Sequence, residues 1–239
     1  MVETTHYPTR AAIALLVMLL IVGTSSAQRG VALKTGVLYG YSWLTFNESS
    51  QSFDKRLARE KINYTPLQSV GIEMGARIFI SSKLALEVVP RWQQWGGTIT
   101  VNSNEYTNQM LKMVINYQSF RIPATLQYAF AGNERLQFFA SLGIGIDYTY
   151  RLWFLPTNYY GSAPTQRRTV DIVTPFTSIG FGFTYTPSAN SQMSYTFGIN
   201  YETDALLNPV RFNEFNFWQN SVPLLSHQLH TSFLIQYRL

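Results

Sequence analysis

The feature that most constrains this chain is an alternation in which the strand glycines and the charged residues take one side. In SLGIGIDYTY, residues 141–150, Ser141, Gly143, Gly145, Asp147 and Thr149 share one parity, and Leu142, Ile144, Ile146, Tyr148 and Tyr150 share the other. A period of two puts successive side chains on opposite faces of a strand. The pattern recurs over 31–43, 68–80, 84–94, 114–130, 136–152, 173–185, 192–202 and 225–239. No Asp, Glu, Lys or Arg falls on the apolar face of any of these segments. Gly36, Gly40, Gly71, Gly75, Gly143, Gly145, Gly180, Gly182 and Gly198 all lie on the polar face.

The glycines decide which face looks inward. Glycine weakens a strand and serves no purpose on a water-exposed face, but in a narrow interior it makes room for long neighbours. The polar face therefore lines a tight lumen and the apolar face looks out into lipid, the inverse of a soluble barrel. Lipid leaves no partner for an open sheet edge, so the strands are expected to close on one another. The predicted fold is all-β, an eight-stranded antiparallel up-and-down transmembrane β-barrel. Composition agrees, with 13% charged and 15% aromatic residues.

The predicted connections alternate in length. Those over 44–67, 95–113, 153–172 and 203–224 are long, and those over 81–83, 131–135 and 186–191 are short. Short periplasmic turns and long outer loops are the expected asymmetry, and an even strand number puts both termini in the periplasm. Rings gather near the strand ends: Tyr41, Trp43, Trp92, Tyr148, Tyr150 and Tyr201 towards the outside, and Tyr128, Phe130, Tyr185 and Tyr237 towards the inside. They mark interfacial girdles.

The first 27 residues read as a cleaved secretory signal. Arg10 precedes AAIALLVMLLIVG (11–23), too short to span a bilayer, and Ser25 and Ala27 hold the small-residue positions of a cleavage site. Residues 28–239 then form a single barrel domain. The chain has no cysteine, which leaves no thiol or disulfide chemistry. The formal charge of +5 is scattered, with Lys55-Arg56 and Arg167-Arg168 the exceptions, and does not indicate nucleic acid.

SFRIPATLQYAF (119–130), a short turn and LQFFASLGIGIDYTY (136–150) resemble the porin-like outer-membrane β-barrel domain common in Bacteroidetes, a group that includes PorT-like proteins. The resemblance implies a small barrel of OmpA/OmpX architecture in a Gram-negative outer membrane, in contact with lipid and lipopolysaccharide. The terminal FLIQYRL resembles the signal read by the barrel-assembly machinery. The family implies no particular activity.

The 81–83 turn sets a register. Pairing Ile80 with Leu84 also pairs Glu73 with Arg91 and Arg77 with Glu87, which predicts two stacked ion pairs inside the barrel. Arg121, Asp147, Arg151 and Glu202 lie at higher levels and extend this lumen network. Such a network serves as a side-chain plug or as a charged constriction, and an eight-stranded interior is just wide enough for side chains to fill.

Catalysis finds little support. His227 and His230 form an H-x-x-H, but on a strand that spacing puts them on opposite faces, so they share no metal. His227 with Ser226 or Ser232 does not face correctly for a lipid hydrolase. No cofactor is implied, and the chain is read as a non-enzyme.

The outer loops are the expected functional surface. The 44–67 connection mixes charges densely in DKRLAREK, and in 203–224 the stretch RFNEFNFWQN carries Phe212, Phe215, Phe217 and Trp218. Those rings cap the barrel mouth or form a contact patch for a partner, another outer-membrane or surface protein or a glycan. The leading expectation is a structural or binding barrel, or a subunit of an outer-membrane complex. A narrow channel and a lipid-modifying enzyme are the alternatives.

Overall fold

In this computed structural model the described residues are 30–46, 61–102, 110–158, 161–162, 166–210 and 222–239. The strands are β1 (Val31–Phe46), β2 (Lys61–Phe79), β3 (Leu84–Val88), β4 (Arg91–Asn102), β5 (Met110–Gly132), β6 (Leu136–Asn158), β7 (Gly161–Ser162), β8 (Gln166–Tyr185), β9 (Met193–Val210) and β10 (Val222–Arg238). β3 and β4 form one stave interrupted at Val89–Pro90, since both pair with β2 and both with β5 and the register is kept across the interruption on each side. β7 only bridges the tip of β6. The staves run β1, β2, β3/β4, β5, β6, β8, β9 and β10, each antiparallel to the next. β10 returns to β1, from Ala32 opposite Arg238 to Phe46 opposite Leu224, so the sheet closes into an eight-stave barrel.

Closure leaves the alternation nowhere to go but in or out. Leu142, Ile144 and Ile146 are exposed at 66%, 67% and 54%, while Ser141, Asp147 and Thr149 are buried. Outward-facing Val37, Ile72, Leu126, Ile179, Phe181 and Phe233 continue the apolar belt around the ring. Glycine acts as expected in the interior: a Cβ on Gly143 would lie 2.5 Å from Ser178 Oγ, and one on Gly145 would run into the Phe176 ring.

The two ends differ. Short turns at 80–83, 133–135 and 186–192 share one end with Gly30 and Leu239, where Phe79 N donates to Gly30 O at 3.0 Å and Leu239 N to Val31 O at 2.9 Å. Ser81 and Asn133 tie two of these turns by accepting backbone N–H bonds at 2.9–3.3 Å. Gly132 takes φ +119°, which only glycine adopts readily.

At the far end the strands overrun the expected loops: β1 reaches Phe46, β2 starts at Lys61, β4 reaches Asn102 and β5 starts at Met110. The reason is a reversal of polarity. Beyond the belt Leu44, Trp95, Ile99, Ile115, Tyr117, Leu152 and Leu224 are buried inside, while Gln68, Lys112 and Arg151 are exposed. The barrel has its apolar residues outside in one zone and inside in the next. A face assignment made for lipid passes over the second zone. Prolines mark where two ladders stop: Pro66 follows the last β1–β2 pair, Ser42 with Leu67, and Pro175 follows the last β8–β9 pair, Phe176 with Asp204. Each lacks the N–H a further rung would need.

Candidate functional site

The lumen holds two charge clusters. Nearer the turn end, Glu87 accepts from Lys34 Nζ and from Gln127 Nε2 at 2.6 Å, and lies 3.7 Å from Arg77 Nε. Nearer the far end, Arg121 is fully buried among three carboxylates. Its Nε bonds Asp147, its Nη1 lies 2.7 Å from Glu202 Oε2, and its Nη2 reaches the two oxygens of Asp204 at 2.9 and 2.7 Å. Arg91 bonds the same Glu202 and donates from Nη1 to His230 Nε2 at 3.3 Å. Arginine only donates, so Nε2 of His230 is an acceptor in this contact.

The Arg121 guanidinium is also held between rings, 4.7 Å from the Phe176 centroid and 5.3 Å from Trp95. Trp95 stacks on Tyr117 at 4.4 Å and donates to Ser119 Oγ at 2.9 Å, while Ser119 and Thr149 bond Asp147. Ser226 bonds Asp204. Trp95, Tyr117, Arg121, Phe176 and Leu152, all buried, fill the barrel section at this level. Below it a cavity of ≈ 50 Å³ is lined by Lys34, Glu73, Arg91, Gln127, Asn200 and Glu202, among others. That is room for a few waters.

The structure places seven of the eight expected network residues in the lumen: Glu73, Arg77, Glu87, Arg91, Arg121, Asp147 and Glu202. The register is the expected one, Glu73 opposite Arg91 and Arg77 opposite Glu87. The bonding differs at one rung, because Arg91 turns across the lumen to Glu202 and Glu73 Oε1 has no hydrogen-bond partner among the described residues.

Arg151 is the exception. It is exposed on the outer face, because Tyr150 is an extra residue against β5, where Ser119 pairs with Thr149 and Gln118 with Arg151; against β8 the register shifts the other way, Ile172 pairing with Thr149 and Thr169 with Arg151. A bulge flips the parity of everything beyond it, and Leu152 takes the inward place.

Sequence reasoning left Lys34, Asp204 and His230 out of the network. Lys34 and His230 sit on the lumen parity of their strands, and Asp204 continues that of Glu202 past the point where β9 was expected to end. Phe212, Phe215, Phe217, Trp218, the charged run at 54–60 and the leader at 1–27 lie outside the described residues.

The two histidines face opposite ways, as their spacing requires. His230 is inside, whereas His227 is half-buried on the outer face. His227 stacks on Trp43 at 5.5 Å, with Nδ1 2.7 Å from Tyr201 OH and Nε2 3.1 Å from Thr45 Oγ1. Both ring nitrogens are occupied by neighbouring staves. Among the described residues no group of three His, Asp or Glu side chains is arranged to hold a metal.

Comparison with known proteins finds likeness in solved structures alone. No family model matches the chain, and no curated protein matches it. Neisserial surface protein A aligns at 8% identity over 87% of this chain and 97% of its own, with a TM-score of 0.41. OprG from Pseudomonas aeruginosa aligns at 9% identity over 88% and 95%, TM-score 0.43. Ail of Yersinia pestis, crystallised with the heparin analogue sucrose octasulfate, aligns at 13% identity over 86% and 98%, TM-score 0.33. The likeness is one of architecture. The closed ring of strand pairs establishes the fold.

Proposed function

We propose that the chain is a small bacterial outer-membrane barrel with a plugged lumen, acting through its far end as a structural or binding protein or as a subunit of a larger outer-membrane assembly. One observation carries the membrane reading: a continuous exposed apolar belt surrounds an interior in which Lys34, Arg77, Arg91, Arg121, Glu73, Glu87, Asp147, Glu202 and Asp204 are all buried. Such a surface is unsustainable in water and matches the hydrocarbon of a bilayer. On β6 the belt runs from Phe138 to Tyr148, about the length a tilted strand needs to cross.

In the same reading the turn end and both termini face the periplasm, the leader over 1–27 is removed on export, and the far end faces outward into lipopolysaccharide. Membership of the Bacteroidetes porin-like, PorT-like group belongs to this proposal, as does partner contact through 44–67 and through Phe212, Phe215, Phe217 and Trp218. The packed section around Arg121 supports a plug over a pore. Reconstitution into planar bilayers tests it: the plug predicts no single-channel steps, and reproducible unitary conductance would replace it with the channel reading. Crosslinking in intact cells followed by purification in mild detergent tests the assembly role. A stoichiometric companion is expected, and a clean monomer would leave only the standalone role.

A further inference from the structure

Glycine leaves room in the middle of the lumen. Gly198 of β9 lines the cavity, where an added Cβ would meet nothing nearer than Ser232 Oγ at 3.1 Å, and Glu73 of β2 stands opposite Gly36 of β1. The layer around Arg121 lies on the far side of this cavity. Arg77 stands on the turn side, its Nη1 3.5 Å from both Thr184 Oγ1 and Gln236 Oε1. At this height the side chains of all eight staves are described.

Two buried oxygens of the lining residues have no hydrogen-bond partner among the described residues, Glu73 Oε1 and Gln127 Oε1. Gln127 has its amide orientation fixed, because its Nε2 donates to Glu87 Oε2 at 2.6 Å and the reverse would set oxygen against carboxylate. Glu73 belongs to none of the ion pairs among the described residues. The cations that share its cavity are committed elsewhere, Lys34 to Glu87 and Arg91 to Glu202. Arg91 keeps an unpaired Nε, but its charge is met by Glu202 through Nη2. The lining therefore holds three carboxylates, Glu73, Glu87 and Glu202, against two cations, with the surplus at Glu73.

An uncompensated carboxylate in a buried wall is costly. A water brings hydrogens but leaves the charge, and a proton cancels the charge but sits on a single oxygen. A small cation cancels the charge and coordinates oxygens on two staves at once. A divalent ion draws more carboxylates than Glu73 alone offers, whereas one carboxylate among neutral oxygens suits a monovalent ion. We propose that the cavity binds one alkali-metal cation, sodium or potassium, coordinated by Glu73 Oε1 and Gln127 Oε1, with the hydroxyls of Thr125, Ser141 and Ser232 in the same lining and water completing the shell. A volume of ≈ 50 Å³ admits such an ion with a water, but no organic cation of the size of choline. The site requires neither a bilayer nor a partner at the far end, so it goes beyond the plugged-barrel reading.

The test is sodium NMR of the barrel purified in dodecylmaltoside, titrated with sodium chloride while choline chloride holds the ionic strength constant. Saturable broadening of the sodium line is expected, reversed by potassium chloride but not by added choline. Glu73→Gln should bind about tenfold more weakly. Glu134→Gln, which removes an exposed carboxylate at the turn end, should bind like the wild type. Where circular dichroism shows Glu73→Gln unfolded, Glu73→Asp takes its place: the charge stays but withdraws by one methylene, and weaker binding is again expected. The proposal is overturned if the wild type shows no saturable broadening at neutral or mildly alkaline pH, which would leave a proton or water in that role. It is equally overturned if the Glu73 variant binds like the wild type, or if choline competes or Glu134→Gln loses as much, either of which would mean diffuse attraction to carboxylates.

Discussion

Arg121 meets the conditions under which a buried charge is tolerated: its Nε and both Nη atoms meet carboxylates, and two aromatic faces flank the guanidinium. Burying an ion is costly, and removing one partner strands the others. Arg121→Met should therefore cost about 3–5 kcal/mol in reversible urea unfolding, because Asp147, Glu202 and Asp204 lose their shared cation. Glu73 offers the contrast. Its Oε1 bonds no described residue, so Glu73→Gln should shift stability by less than about 1 kcal/mol in the same assay. If the two substitutions cost the same, the network is not organised around Arg121. At this scale the sequence was informative about where charges sit and less so about what they touch. Strand parity assigns Glu73 and Arg91 to the lumen, but which carboxylate Arg91 meets depends on the far wall, and no local pattern encodes that distance.

The informative element is β6. Up to Thr149 its alternation is continuous with SLGIGIDYTY, and beyond Tyr150 Arg151 and Leu152 have changed face, Arg151 exposed and Leu152 buried. Nothing in DYTYRLW marks Tyr150 as the extra residue, since Tyr148 and Tyr150 look alike in period two; the bulge is specified by pairing with β5 and β8. The chain has no native cysteine, so the flip can be read directly. In vesicles Arg151→Cys should react with a water-soluble maleimide, and Leu152→Cys should be at least tenfold slower. Deleting Tyr150 should leave the two reactivities as they are, because Thr149 stays opposite Ser119 and Arg151 opposite Gln118 once the extra residue is gone. Equal labelling at 151 and 152 would refute the bulge. The far ends of β1, β4 and β5 escaped sequence reading for a related reason. There the apolar parity belongs inside, as Trp95, Ile99 and Ile115 show, and a rule tuned to lipid reads such a stretch as loop.

For the whole molecule, the eight staves, their order and the inside-out polarity follow from local alternation alone, because closure turns every period-two segment into one wall of the same tube. What the far end contacts is not encoded in that way. A plugged, lipid-facing barrel is defined by which medium touches the odd and even residues of a single strand. The most direct measurement places a nitroxide label, one site at a time, at 141, 142, 144, 145, 146 and 147 of β6 in lipid vesicles. Collision rates with dissolved oxygen and with a water-soluble nickel chelate are then compared. High oxygen and low nickel accessibility is expected at 142, 144 and 146, with low accessibility to both reagents at 141, 145 and 147. Nickel accessibility at 142, 144 and 146 would put the apolar face in water, and nickel accessibility at 141, 145 and 147 would open the lumen; either result would contradict the plugged, lipid-facing barrel.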